Sequence, residues 1–407
     1  MPNLRDPVGD ALQAVLDAAR PLDGGELASY IPELALADPE GLGIALVSSS
    51  GAVYEVGDTG VEFTIQSVSK PFVLALALEQ SGLGAVTRHV GSEPSGEPFN
   101  AISLEESSGR PLNPMINAGA IVTTSLLAGD TAAEKFATIH AGLNAFAARE
   151  LDLDDAVLES ELSTGDRNRA LAYLTRSAGT LGSSVEVATG AYFRQCSLSV
   201  TARDIAIMAV TLANGGRNPL SGERVVSEDV ARWTTAVMAS CGMYDASGDW
   251  LLRVGLPAKS GVGGGIVAVQ PHQFGLGTFS PRLDERGNSV RGMAMLEALS
   301  SGYGLHVFSH HGPPLSPIAE LARDDVDGDT VAVLRGEILF AGAEEVLTRL
   351  APFVSDRGRL VLDFTNVTRV GDGARKVFLT LQRAATVGSD PRSNIAIRDP
   401  HGVLGDE

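Results

Sequence analysis

Gln66-Ser67-Val68-Ser69-Lys70 is followed by Pro71 and an unbroken apolar run from Phe72 to Leu78. The run predicts a buried helix, so the Ser-x-x-Lys motif stands at the helix N-terminus. Residues three apart share a helix face, which allows the Ser67 hydroxyl and the Lys70 amine to meet. A desolvated lysine can activate a serine, and a helix N-terminus favours an oxyanion. The simpler alternative is that these serines only cap the helix.

A second lysine motif, Lys259-Ser260-Gly261, precedes Val262 and a glycine-rich stretch. Lys-Ser/Thr-Gly is the second element of serine penicillin-recognising enzymes, where it lies on the strand that borders the active site. Only four of the 31 Lys and Arg residues are lysine, and two of the four stand in these two motifs, in the expected order. A chance turn with an exposed lysine is therefore the weaker interpretation. The Ser-Asp-Asn tripeptide of those enzymes is absent.

Taken together, the motifs resemble the serine-dependent glutaminases, which share the serine β-lactamase-like fold. The resemblance runs from about Tyr30 to Val307 and rests on Tyr30-Ile31-Pro32, Gln66 to Lys70, Asn113-Pro114-Met115-Ile116-Asn117-Ala118-Gly119, Glu161 with Asn168, Tyr192, Gly242-Met243-Tyr244-Asp245 and Lys259 to Gly264. It implies an α/β protein with an antiparallel sheet, flanking helices and a helical subdomain. It also implies hydrolysis of L-glutamine to L-glutamate and ammonia.

The resemblance implies roles for individual residues. Ser67 would be the nucleophile, Lys70 its general base and Tyr244 a proton relay. The residues expected to bind glutamine are Tyr30, Gln66, Asn117, Glu161, Asn168, Tyr192 and Val262, with Lys259, Ser260 and Gly261 as supporting motif. The backbone N–H groups of Ser67 and Val262 would form an oxyanion hole. A γ-glutamyl ester on Ser67 would be the intermediate, with no metal or organic cofactor.

Simple chemistry agrees with part of this assignment. Glutamine carries a cationic α-amine that Glu161 can pair with. Asn168 follows Glu161 by seven residues. If the segment is helical, this spacing equals two turns, and the two side chains lie on the same face. Taken singly, each of these residues has an ordinary structural interpretation, such as a core tyrosine with a bonded hydroxyl or a solvated polar face.

Composition narrows the class of protein. The formal net charge of −19 disfavours nucleic acid and anionic membranes as partners. Cys196 and Cys241 are two cysteines without metal or redox spacing, and buried reduced thiols are the favoured interpretation. No secretory signal or transmembrane run is recognised, so we expect a cytoplasmic enzyme. The resemblance favours a homo-oligomer.

The Pro-rich and acidic stretch after Ser309 indicates a domain boundary. We expect a glutaminase domain over 1–310, a linker over 311–328 and a small α/β domain over 329–407. In the last, strands are predicted at 330–334, 338–340, 360–364 and 395–397, with helices around 346–353 and 377–381. This part resembles a STAS domain. Gly371 to Ala374 carries no Ser or Thr where that family often has a phosphorylated hydroxyl.

Two other functions are compatible with the sequence. One is a different amidase or acyl-serine hydrolase on the same fold, which acylation of Ser67 by β-lactams without glutamine turnover would indicate. The other is a non-catalytic glutamine sensor that signals to an unknown partner or ligand of the STAS-like domain. The pairing of Ser67 with Lys70 argues against a pure sensor, because sensing needs no deprotonable lysine.

Overall fold

A computed structural model describes residues 6–96, 104–309, 315–323, 329–354, 359–385 and 394–405. The chain divides into two compact units, Met1–Ser309 and His310–Glu407. In the described residues, no helix combines the length and apolar character needed to cross a bilayer.

The first unit is built on strands and helices that surround the predicted motifs. Its strands are β1 (Gly43–Ser48), β2 (Val53–Gly57), β3 (Phe63–Thr64), β4 (Ser199–Val200), β5 (Ala258–Ser260), β6 (Gly265–Gln270) and β7 (Phe274–Phe279). Its helices are α1 (Pro7–Ala19), α2 (Lys70–Ser81), α3 (Leu83–Val86), α4 (Asn117–Ser125), α5 (Ala132–Ala147), α6 (Asp155–Thr164), α7 (Asp166–Ser177), α8 (Val185–Cys196), α9 (Ala202–Ala213), α10 (Glu228–Cys241), α11 (Ser247–Arg253) and α12 (Val290–Tyr303). Short 3-10 helices span Pro32–Leu36, Gln66–Ser69 and Tyr244–Ala246.

A five-stranded antiparallel sheet in the order β2-β1-β7-β6-β5 forms the centre of this unit. The short apolar runs 42–47 and 53–56, split by Ser48 to Gly51, predict a hairpin, and β1 does pair antiparallel with β2. A third strand, expected at 63–65, forms as β3 but lies outside this sheet, because it pairs with β4. The short β3–β4 ladder lies directly before the nucleophile turn: the Ile65 N–H donates to the Leu198 carbonyl at 2.8 Å.

Both faces of the five-stranded sheet are covered, so its inner strands are apolar on both sides. On β1, Ala45 and Val47 join the core that includes α2, α5 and α9, whereas Ile44 and Leu46 join the core that includes α1 and α12. Helix α2 lies in the first of these cores and is buried along most of its length. This burial is what the unbroken apolar run predicted, and it carries the Ser-x-x-Lys motif into the interior.

The second unit is a four-stranded sheet in the order β11-β10-β9-β8 with two helices. Its elements are β8 (Ile318–Arg323), β9 (Thr330–Ile338), α13 (Phe340–Leu350), a 3-10 turn (Ala351–Phe353), β10 (Leu360–Val370), α14 (Asp372–Ala385) and β11 (Ile395–Arg398). Strands β9, β10 and β11 are parallel, and β8 is an antiparallel edge strand.

Two details of the second unit differ from the sequence-based expectation. Strand β8 lies inside the stretch predicted as a linker, of which residues 311–314 and 324–328 are outside the described residues. Only Ile318 is buried on β8, so this edge strand has no apolar alternation to reveal it. The separate strand predicted at 338–340 was wrong, because β9 continues through Gly336 and α13 begins at Phe340.

The end of α10 makes a close backbone contact that predicts a large effect of one methyl group. A Cβ atom on Gly242 would lie 1.7 Å from the Ala258 carbonyl oxygen of β5. We expect Gly242→Ala to lower the free energy of unfolding of the first unit by about 3 kcal/mol, because the strand must move. Gly248→Ala on α11 is the matched control: its Cβ meets nothing within 4 Å. Urea unfolding followed by circular dichroism should separate the two variants, and equal midpoints would contradict the prediction.

Candidate active site

A cavity of about 270 Å³ in the first unit collects most of the residues singled out by the sequence. Its walls are formed by Tyr30, Gln66, Ser67, Asn117, Glu161, Thr164, Gly165, Arg167, Asn168, Tyr192, Cys196 and Val262. All seven expected glutamine-binding residues and Ser67 are among them. Lys70, Tyr244 and the Lys259-Ser260-Gly261 motif do not line the cavity.

Ser67 lies in a tight turn between β3 and α2. The 3-10 helix Gln66–Ser69 runs directly into α2, which starts at Lys70. Gln66 adopts a φ of +45°, a left-handed conformation that residues other than glycine rarely adopt. Such backbone strain persists only where surrounding contacts impose it.

Buried hydrogen bonds hold this strained turn. The Ser69 hydroxyl donates to the Gln66 carbonyl at 2.7 Å, and the Gln195 amide of α8 donates to the Ser69 hydroxyl at 2.9 Å. The Thr124 hydroxyl of α4 donates to Oε1 of the same Gln195 side chain at 2.9 Å. Ser69, Thr124 and Gln195 are all inaccessible to solvent. Gln195 could not be recognised from the sequence, because a single glutamine in a mostly apolar helix belongs to no motif.

Lys70 is buried behind Ser67, and its amine donates to Asn117 Oδ1 at 2.7 Å. Removal from water lowers the pKa of Lys70 from 10.5 to about 8, although the nearby Cys196 and Glu161 act in the opposite direction. About a tenth of the amine is then uncharged at pH 7. The side chain can therefore act as a base at neutral pH.

Asn117 joins Lys70 to the opposite wall of the cavity. Its amide nitrogen donates to Asn168 Oδ1 at 3.0 Å, and the Tyr192 hydroxyl donates to its oxygen at 3.5 Å. Helix α4 can start here because Gly119 has no side chain: a Cβ would lie 1.9 Å from the Asn113 carbonyl oxygen. Asn113 to Gly119 thus acts as one structural unit that places Asn117.

Glu161 is a buried carboxyl on a second wall. The Tyr30 hydroxyl lies 2.9 Å from Gln66 Oε1 and 3.1 Å from Glu161 Oε1, so it links the two. Burial raises the pKa of Glu161, and the hydrogen bonds from Tyr30 and Gln66 and the charge on Lys70 oppose that rise. A buried carboxylate of this kind favours a cationic partner.

Glu161 and Asn168 reach the cavity by a different route from the one expected. The single helix assumed for them is wrong, because α6 ends at Thr164 and α7 begins at Asp166. Gly165 separates the helices, and a Cβ there would lie 2.3 Å from the Phe193 ring of α8. The close packing against α8 therefore requires glycine at this position.

Tyr244 and Lys259 pack against each other beside Ser67. The Tyr244 hydroxyl donates to the Ser260 carbonyl at 2.9 Å, and the Lys259 amine lies 4.0 Å from the centre of the Tyr244 ring. Burial raises the pKa of Tyr244 above its usual range, and a hydrogen bond with the Ser67 side chain opposes that rise. Burial, and then the charge of Lys70, lowers the pKa of Lys259. Lys259 is thus a buried residue, which excludes the exposed-turn interpretation.

The Lys259-Ser260-Gly261 motif also places Val262. Gly261 N–H donates to the Gly265 carbonyl at 2.9 Å, which closes a turn with Val262 on the cavity wall. A Cβ on Gly261 would lie 2.9 Å from Val68 Cγ2, so the missing side chain lets this turn contact the nucleophile turn.

Four lining residues were not predicted from the sequence: Thr164, Gly165, Arg167 and Cys196. The first three stand directly before Asn168, so the whole segment 164–168 could have been proposed. Burial raises the pKa of Cys196 to about 12, which keeps this thiol protonated at neutral pH. No cluster of three or more His, Cys, Asp or Glu side chains in the described part of the chain is arranged to hold a metal ion.

Comparisons with known proteins agree on one family. A family model described as Glutaminase matches residues 25–308. A protein of Corynebacterium glutamicum named Glutaminase is 41% identical over 404 residues, which cover 98% of this chain and 96% of that protein. Glutaminase 1 of Bradyrhizobium diazoefficiens is 54% identical over 285 residues; that match covers 70% of this chain and 46% of the relative. The solved structure described as Mglu superposes with a TM-score of 0.89 at 40% identity, covering 98% of this chain and all of that one.

The buried amide of Gln195 leads to a prediction about stability. Gln195→Met keeps the volume but removes the partner of the Thr124 hydroxyl, which then stays buried without an acceptor. We expect a loss of about 2 kcal/mol in the free energy of unfolding of the first unit. In the double variant Gln195→Met/Thr124→Val the orphaned hydroxyl is gone, so part of the loss should be recovered. Denaturant unfolding measures both, and strictly additive losses would count against the network.

Proposed function

The chain belongs to the glutaminase family and hydrolyses L-glutamine to L-glutamate and ammonia, and we propose that it does so through a γ-glutamyl ester on Ser67. The observation that carries this mechanism is the placement of Ser67 on the cavity wall with the buried amine of Lys70 one turn behind it. Membership of the family favours this enzyme over a sensor or a different amidase.

Substrate binding follows from the charges on the walls. The α-amine of glutamine would pair with Glu161, whose buried carboxylate has Tyr30 and Gln66 as neutral neighbours. The α-carboxylate would accept from Asn168 and Tyr192. The side-chain amide would then extend towards Ser67 and the Val262 backbone. This orientation places the one uncharged group of the substrate at the nucleophile.

In the acylation step the Ser67 oxygen bonds to the side-chain carbonyl carbon, and the carbon–nitrogen bond breaks. Neutral Lys70 takes the serine proton; Asn117 Oδ1 holds one of its N–H groups, which leaves the amine lone pair for Ser67. The Ser67 and Val262 N–H groups would stabilise the oxyanion. The proton then passes to the leaving nitrogen, directly from Lys70 or through the Tyr244 hydroxyl, and ammonia forms.

In the deacylation step a water molecule attacks the ester and the carbon–oxygen bond to Ser67 breaks. Lys70 takes a proton from the water, and Ser67 recovers its proton as glutamate forms. Tyr244 keeps its proton at neutral pH because burial raises its pKa, so it serves as a donor and relay. Lys259 lies against the Tyr244 ring and donates to the Ser260 carbonyl, so it would act on the chemistry through the position of Tyr244 and through its electrostatic interaction with Lys70.

We also propose domain identities for the two units. The antiparallel sheet with helices on both faces supports a serine β-lactamase-like domain over 1–310. The parallel β9-β10-β11 arrangement with α13 and α14 supports a STAS-like domain over 329–407. Asp372, exposed at the start of α14, would supply a fixed negative charge where other members carry a hydroxyl. A cytoplasmic location remains a prediction from the sequence, and homo-oligomeric assembly remains a prediction from the resemblance.

Replacement of Ser67 tests the nucleophile. We expect Ser67→Ala to reduce ammonia release from L-glutamine by about a thousandfold or more, because no oxygen is left to form the ester. Calorimetric titration with L-glutamine should give a dissociation constant within a few fold of the Michaelis constant of the wild type. Ser163→Ala, at an exposed serine of α6 outside the cavity, is the matched control and should keep full activity. Turnover by Ser67→Ala at more than about a hundredth of the wild-type rate would contradict the assignment.

The pH dependence of the rate tests Lys70. Because the uncharged amine is the active form, kcat/KM should rise with pH through a pKa of about 8. The negative charge of Glu161 raises the pKa of Lys70, so Glu161→Gln should move this limb to lower pH while it weakens binding. Rates would be measured between about pH 6 and pH 8.5, below the titration of the glutamine amine. A limb that stays in place in Glu161→Gln would point to another titrating group.

A further inference from the structure

The peptide unit that joins Gln66 to Ser67 carries two polar groups with different tasks. Its bond is trans, and planarity makes the C=O and the N–H point in nearly opposite directions. The N–H belongs to Ser67 and is the group proposed for the oxyanion hole. The C=O belongs to Gln66 and accepts a hydrogen bond from the Ser69 hydroxyl at 2.7 Å. A bond that holds this carbonyl therefore also sets the direction of the Ser67 N–H.

This peptide unit needs support because the residue before it is strained. Gln66 has a φ of +45°, a conformation that costs free energy for any residue with a side chain. Relaxation of Gln66 towards a negative φ would rotate the peptide unit that follows it. Since Ser67 lies on the cavity wall, that rotation would move its N–H relative to a bound substrate.

The hydrogen bonds behind Ser69 can run in one direction only. A carbonyl oxygen only accepts, so Ser69 donates to Gln66, and its own oxygen accepts from the Gln195 amide nitrogen at 2.9 Å. The Gln195 oxygen is then the acceptor for the Thr124 hydroxyl of α4, also at 2.9 Å. All three supporting side chains are inaccessible to solvent. In such a buried chain each bond polarises the next, so the bond to the Gln66 carbonyl gains strength from those behind it.

Helix α4 supports the base as well as this peptide. Its first residue, Asn117, accepts from the Lys70 amine at 2.7 Å. Thr124 follows Asn117 by seven residues, which is two helical turns and hence the same face. The amine of the base and the peptide of the nucleophile are therefore both held in position relative to one helix.

A serine that donates to the carbonyl three residues earlier is common and by itself shows no function. Ser125 of α4 does the same: its buried hydroxyl donates to the Val122 carbonyl at 2.6 Å and accepts from the Gly182 N–H at 2.8 Å. The two serines differ in the peptide unit that they hold. The Val122 carbonyl lies within α4, whereas the Gln66 carbonyl shares its peptide unit with the nucleophile.

We propose that Ser69 is a positioning residue that directs the Ser67 N–H towards the oxyanion by holding the carbonyl of the same peptide unit. Gln195 and Thr124 hold Ser69 in turn. The inference rests on the acyl-enzyme mechanism proposed above. An oxyanion-hole donor acts mainly in the transition state, where the negative charge develops. Loss of this positioning should therefore lower kcat and leave substrate binding nearly unchanged.

The test compares Ser69→Ala with the matched control Ser125→Ala in the full-length protein, by ammonia release from L-glutamine. Ser69→Ala should lower kcat about thirtyfold, less than the loss of a whole oxyanion-hole donor, and keep KM within about twofold of the wild type. Ser125→Ala loses the same kind of bond and should keep kcat within about twofold. In Ser69→Ala the rise of kcat/KM through the Lys70 pKa of about 8 should stay in place, because Ser69 is not among the groups that set that pKa.

Gln195→Met tests the next member of the chain and replaces Ser69→Ala if that variant fails to fold. It keeps the bond from Ser69 to Gln66 but removes the donor behind it, so kcat should fall about fivefold with KM unchanged. Because Gln195 acts through Ser69, the double variant Ser69→Ala/Gln195→Met should have the kcat of Ser69→Ala.

Three results would overturn the positioning role: a kcat within about threefold of the wild type in Ser69→Ala, a displaced pH limb in that variant, or losses that multiply in the double variant. If only Gln195→Met folds, a wild-type kcat in that variant would overturn it. Failure of the mechanism itself has a different signature, because it would appear as glutamine turnover by Ser67→Ala.

Discussion

The burial of an ammonium group beside a serine is the constraint on which the first unit depends. Lys70 stands at the start of a helix that is otherwise apolar, and its amine is removed from water. An uncompensated buried charge is expensive, so the protein lowers the pKa of the amine and gives it Asn117 as an acceptor. The same features make the amine a base at neutral pH. Burial of the charged amine costs stability, but burial is also what lowers its pKa and makes it a base at neutral pH.

Holding Ser67 against that amine requires backbone contacts that leave no room for side chains. Gln66 takes a left-handed conformation, and the turn that contains it is held from behind by Ser69 and Gln195. Gly261 brings the end of β5 against the same turn, and Gly242 brings α10 against β5. Glycine is therefore required at these motif positions because a side chain would collide with the neighbouring segment. They allow two segments that are distant in sequence to meet at the nucleophile.

The core of the second unit is built differently from that of the first. Its sheet is covered by α13 and α14, and Phe364 packs edge-on against Phe378 to close one part of the core. Leu350 and Leu381 are buried in the same core. In the first unit the open space is walled by polar and charged groups that suit a zwitterion. In the second unit the sheet and its two helices pack on one apolar core.

The residues expected around a substrate came from the resemblance to a family, whereas the sequence alone predicts local features: the buried helix after Lys70, the β1–β2 hairpin, and the positions, though not the full lengths, of β9, β10, β11, α13 and α14. These follow from apolar periodicity and from short motifs, both of which are local properties of the chain. The sequence did not reveal the break at Gly165, the edge strand β8 or the role of Gln195, because each depends on a partner more than 25 residues away or on pairing with a neighbouring strand. Three features become visible only in the folded chain: Glu161 and Asn168 reach the cavity from two helices, Lys259 is buried against Tyr244, and burial lowers the pKa of Lys70. These properties depend on burial and on contacts between residues distant in sequence, which the spacing of residues along the chain does not predict.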